Sequence, residues 1–319
     1  MKKQLLIAAV AATMTSVAFA DVSITGGSKV NYTNTDYDLS TKAGTNAFAH
    51  DIDLTIIGKT GDTVVSVTMA NETADGNTSG TAQGFDLENR FMASKVGDIN
   101  VKVGSWDNGD DFVSASSRAD GKFSANTTIG GVKVTYDAAN DKDEAVTLSG
   151  SFGGVNASYK DERLGEEIKL STTVQGVTVA YHADNSDTAD SDKSSIAISG
   201  TVSGMDITYV SMDADTLAII EGDSLAGDFE GASDAYDLTA NQDVAALKIS
   251  TAMAGNTIAY TRTNIDGVTA ADTTINKFVV TRPLASGATF EATYTSLSDD
   301  AAATANDFDK LDLELAVKF

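Results

Sequence analysis

The chain has two histidines, His50 and His182, and each stands beside or near an acid, Asp51 and Asp184. An Asp/His pair can activate a hydroxyl or a water, so hydrolysis is the first chemistry to weigh. The remainder of such a site is missing, because no nucleophile elbow, phosphate-binding loop or zinc-ligand spacing occurs. Polar positions at strand edges account for both histidines without catalysis. Asp184 to Asp192 is acid-rich but lacks the central glycine and terminal glutamate of an EF-hand loop. It offers Ca2+ or Mg2+ a loose, diffuse seat and nothing more specific. The sequence therefore predicts no enzyme and no cofactor.

Composition narrows the partners. Lys and Arg total 22 against 46 Asp and Glu. Phosphate binding depends on Lys and Arg neutralising the backbone, so nucleic acid is disfavoured. There is no cysteine to form a disulfide or present a thiol. Lys2 and Lys3 precede an apolar stretch from Leu5 to Val17, and Ala18-Phe19-Ala20 follows before Asp21. That is the layout of a cleaved signal peptide, and the apolar run falls short of the roughly 20 residues of a spanning helix. Residues 1–20 are then a leader and 21–319 a single domain carrying 20 cations against 46 carboxylates. No linker divides that domain, and no later stretch is apolar enough for a helical span.

The elements that would carry these charges repeat. A glycine turn followed by alternating residues ending in tyrosine occurs at Gly130 to Tyr136, Gly153 to Tyr159 and Gly176 to Tyr181. Looser copies run from Gly204 to Tyr209, Gly255 to Tyr260 and Gly287 to Tyr294. A second alternating run, such as Val146 to Phe152, precedes each turn. A period of two marks strands with one apolar and one wet face. Short turns near 59–62, 96–98, 130–131, 153–154, 175–176, 203–204, 254–255 and 284–287 alternate with longer acidic connections. The latter include 34–49, 107–121, 161–167 and 212–243, the last containing the apolar tetrad Leu217-Ala218-Ile219-Ile220. Short turns at one end and long loops at the other are the organisation of membrane barrels. The count gives 18 strands, with 16 a serious competitor.

Near the C-terminus, Leu311, Leu313, Leu315, Val317 and Phe319 share one parity, and Lys310, Asp312, Glu314 and Lys318 the other. The leader, the hairpin array and this Leu-x-Leu-x-Leu-x-Val-x-Phe ending resemble the general bacterial outer-membrane porins, the trimeric barrels of Gram-negative bacteria. The likeness spans the mature chain as architecture rather than as a long shared motif. The third long connection carries no Pro-Glu-Phe-Gly-Gly-like motif, which leaves the subfamily open. The resemblance implies an all-β, transmembrane, antiparallel up-and-down β-barrel and a homotrimer. It implies lipid and lipopolysaccharide as surroundings, and an ending from Leu311 to Phe319 that is read by the barrel-assembly machinery.

With the apolar parity toward lipid, the wet parity lines a lumen. Lys29, Glu88, Arg90, Lys102 and Lys122 are then expected on the pore wall, with Leu87 and Phe91 facing lipid. In the porins the third long connection folds inward, which by position puts Asp107, Asp110 and Asp111 at a constriction opposite those cations. The expected function is a water-filled channel for passive diffusion of small hydrophilic solutes and ions, with a preference for cations. The rival is an exported surface structural or adhesin-type β protein without a pore.

Overall fold

The computed structural model describes residues 21–38, 43–74, 86–106, 121–139, 144–215, 242–267, 272–299 and 307–319. The expected leader, Asp107, Asp110, Asp111 and the tetrad 217–220 lie outside these residues.

The described chain forms 18 strands and no helix. They are β1 (Asp21–Tyr37), β2 (Thr45–Thr60), β3 (Thr63–Ala74), β4 (Asp86–Val96), β5 (Ile99–Ser105) and β6 (Lys122–Ile129). Next come β7 (Val132–Ala138), β8 (Ala145–Phe152), β9 (Val155–Glu162), β10 (Gly165–Val174), β11 (Val177–Ser186) and β12 (Lys193–Val202). The last six are β13 (Met205–Ala214), β14 (Gln242–Met253), β15 (Asn256–Gly267), β16 (Thr273–Pro283), β17 (Ala288–Asp299) and β18 (Phe308–Lys318). Every strand pairs antiparallel with its sequence neighbours, and β18 pairs with β1, closing a single ring. Eighteen strands, not sixteen, make the barrel.

Turn chemistry sets each register. Gly130 and Gly131 join β6 to β7 with φ of 59° and 87°, the backbone that a two-residue hairpin matched to strand twist requires. Gln175, Ser203 and Ala254 hold the first position of similar turns at positive φ, each followed by a glycine. A side chain there costs about 1–2 kcal/mol, which the flanking ladders offset.

Two expectations about the connections change. Strands β1 and β2 extend well into the 34–49 segment, pairing as far as Thr35 with Thr45. The 161–167 connection is a tight turn at Arg163 and Leu164, since Glu162 and Gly165 already face one another in the ladder. Alternation is broken in both segments, by Ala47 and Ala49 on the parity opposite Phe48 and by acids on both parities of 161–167, so their strand character has no clean apolar mark.

Directly opposed residues of neighbouring strands point to the same face, so the register carries each face around the ring. Val30, Phe48, Leu87, Ile129 and Phe319 all lie on the outer face, and Phe48 and Ile129 are 57% and 67% exposed. A soluble barrel would hide this parity. The packed apolar cluster lies on the other face, inside the ring, at Val210, Met212, Val244, Ile265, Ile275 and Leu297.

Candidate functional site: the inner wall

Position of the lining follows from one irregularity in β4. Arg90 pairs with Val67 and Asn89 with Thr68, but Leu87 pairs with Met69, and Glu88 is inserted between them. An extra residue in one strand of a pair is a β-bulge, and it reverses the parity of everything beyond it. Arg90 therefore lies on the outer row with Val67, Ile56 and Ile24. Phe91 lies on the inner row with Ser66, which is buried. This corrects the expected assignment of Arg90 to the wall and Phe91 to lipid, and it makes Glu88 the inserted residue of the bulge. An outer arginine at mid-membrane would cost about 2–4 kcal/mol. Arg90 sits in the half of β4 toward the long connections, where its flexible stem can reach polar surroundings.

With Phe91 turned inward, an aromatic seat forms beneath a cation. The Lys102 ammonium on β5 lies 4.2 Å from the Phe91 ring centroid and 4.1 Å from that of Trp106. Phe91 and Trp106 meet edge to face at 6.4 Å. The Lys122 ammonium on β6 also stands over Trp106, at 5.7 Å. Two ammonium groups thus share one indole, which holds both to the inner wall by attraction to the ring face. Elsewhere on this face Lys29 of β1 pairs with Asp51 of β2 at 2.9 Å. Lys29, Lys102 and Lys122 all lie inside the ring; the sequence showed the cations and missed the rings that seat them.

A third group sits inside β10–β12. Glu167 accepts from Lys169 at 2.6 Å and lies 3.3 Å from Nε2 of His182. Lys193 and Asp184 follow at 3.7 Å. His182, expected at a polar edge, is sealed on the inner face at 1% exposure and flanked by Ser195 of β12. Among the described residues no group of three or more His, Cys, Asp or Glu could hold a metal ion.

The inner wall has two unlike sides. From β6 to β9 every described inward side chain except Ala145 is polar, as with Ser124, Asn126, Thr135, Thr147, Ser149 and Ser158. Across β12–β18 one register row reads Ala197, Val210, Ala246, Thr263, Ile275, Leu297 and Phe308, each opposite the next. That row carries no charge, and Val210, Thr263 and Ile275 are each 1% exposed. Sequence reading missed it, though a mark exists. In β13 the apolar parity passes from Ile207 and Tyr209 to Val210 and Met212, and in β17 from Phe290 and Tyr294 to Leu297.

No family model and no curated protein matches the chain. Solved structures do. Pseudomonas aeruginosa OccD3 (OpdP) superposes with a TM-score of 0.65 at 10% identity, covering 93% of this chain and 91% of that one. Acinetobacter baumannii OccAB4 gives 0.65 at 12% identity, over 94% and 98%. Pseudomonas aeruginosa OpdK, solved with vanillate, gives 0.65 at 11% identity, over 94% and 99%. These are 18-stranded outer-membrane porins. The fold is an outer-membrane porin barrel. At such identities the likeness fixes strand number, order and closure, and leaves the lining to this chain's own residues.

Proposed function

We propose that the chain is an outer-membrane porin of a Gram-negative bacterium, forming a water-filled channel for passive diffusion of small hydrophilic solutes and ions. Sidedness carries this reading. Large apolar side chains stand exposed around the outside of a closed ring, as hydrocarbon requires, while the β6–β9 wall inside is polar. Eighteen strands enclose a lumen too wide for wall side chains to fill, which leaves room for water. No catalysis is needed for such a role.

The finer reading is a preference for cations. It rests on the formal charge of −24 and on the acids of the connection holding Asp107, Asp110 and Asp111. The described inner wall carries both signs, so the preference belongs to those connections. Export by the leader, homotrimeric assembly, lipopolysaccharide contact, loosely held Ca2+ or Mg2+, and reading of the Leu311 to Phe319 ending by the assembly machinery complete the proposal.

Planar bilayers test it. Refolded protein is expected to give discrete conductance steps, with a reversal potential across a KCl gradient of the sign set by cation flux. A heat-modifiable, detergent-requiring barrel that yields no steps would remove the channel. Steps with the opposite sign would remove only the cation preference.

A further inference from the structure

The two sides of the inner wall are not equivalent to a solute. In a closed ring of 18 strands the strand nine places from β7 is β16, so the polar side and the charge-free row face one another across the lumen. The row continues past Phe308 to Tyr37 of β1, and those two rings lie 6.1 Å apart. At the other end it reaches Ala180 of β11. It is sealed as well as apolar, since even Thr263, whose hydroxyl would tolerate water, is 1% exposed. One register row nearer the short turns the same strands carry Lys248, Lys277 and Lys310. The dry band thus has a sharp lower border.

We infer that, in the half of the barrel toward the long connections, the permeation path is eccentric: it runs against β6–β9 and is excluded from the inner wall of β12–β18. The residues that meet solutes there are Ser124, Thr135, Thr147, Ser149 and Ser158, together with Asp137 and the Lys160–Glu162 ion pair, and with Lys122 and the Lys102 ammonium at the border. Hydroxyls stand among charges of both signs on this side, each hydroxyl able to donate and accept. It suits small solutes rich in hydroxyl and amide groups, which exchange water for wall oxygens with little loss. Below the Lys248, Lys277 and Lys310 row the path widens to include the opposite wall. The inference rests on the channel reading for its function, and on burial alone for its geometry.

Single cysteines test both parts, because the chain has none of its own. Thr135→Cys and Ser149→Cys report the polar side; Thr263→Cys and Ala246→Cys report the dry row with minimal change of volume. Refolded variants are treated with a small charged methanethiosulfonate. The first pair is expected to react freely and to lower single-channel conductance. The second pair should react more slowly by roughly tenfold or more, since modification there waits on local opening, and its conductance should not change. Equal rates for the two pairs, or a conductance drop from Thr263→Cys alone, overturns the eccentric path. If the unmodified protein conducts nothing, the channel reading fails, while the labelling contrast still decides which wall is dry.

Discussion

Phe319 exchanges both backbone hydrogen bonds with Gly26, at 2.9 Å in each direction, and so pins β18 to β1 across the seam of the ring. Its aromatic ring occupies the space where a side chain at residue 26 would begin, since a Cβ there would lie 2.8 Å from the ring and 2.5 Å from the Asp53 carbonyl. Gly26 is required by closeness, not by backbone angle.

Gly26→Val is therefore expected to loosen closure by roughly 1–3 kcal/mol, the usual range for overpacking. The measurement is the temperature at which the folded band disappears on semi-native gels. Gly27→Ala, whose Cβ would meet only the Val317 carbonyl at 3.5 Å, should leave it nearly unchanged.

The inner cluster behaves as a packed core. Leu297→Ala should destabilise the barrel by about 2–5 kcal/mol in urea titrations, through lost contacts and the cavity left behind. Leu315→Ala on the lipid face, 49% exposed, should cost distinctly less.

Much of the architecture was legible. Alternation in β18 gave its outer face, and paired glycines gave the hairpins. The bulge was not legible, because Leu87, Glu88, Asn89, Arg90 and Phe91 read as unbroken alternation with Glu88 counted in the ladder. The dry row was hidden for a related reason. Val210 and Met212 are apolar on the parity expected to be wet, and a short strand that is apolar on both parities in turn defeats a simple two-residue reading. The Lys102 seat joins residues of β4 and β5 through a parity that only the register reveals.

Lys102 and Arg90 should separate cleanly in electrophysiology. Lys102→Gln removes an inward charge and is expected to move the KCl reversal potential toward stronger cation selectivity. Arg90→Gln removes an outward charge and should leave it where it was.

Trp106 is the single tryptophan and is buried between two ammonium groups and Phe91. Its fluorescence in the refolded protein should resist quenching by acrylamide. Lys102→Met should alter the emission maximum while far-UV dichroism stays the same.

Inside β10–β12, Glu167→Gln leaves Lys169 and His182 beside a neutral amide in a sealed position. A loss of about 1–3 kcal/mol is expected, as for a buried charge-assisted hydrogen bond whose acceptor loses its charge. Urea titration reads it, and Glu166→Gln on the outer parity of the same strand serves as the control.

The inserted Glu88 ties the lining to how β4 is registered. Deleting that one codon would leave Leu87 against Met69 and Asn89 against Thr68, so the guanidinium and the aromatic ring would keep the faces they have. The two exchange only when Glu88 is drawn into the ladder and the rest of β4 moves one place along its neighbours. A hoop of this kind thus carries its lumenal chemistry in where a strand slips as well as in which codons it holds.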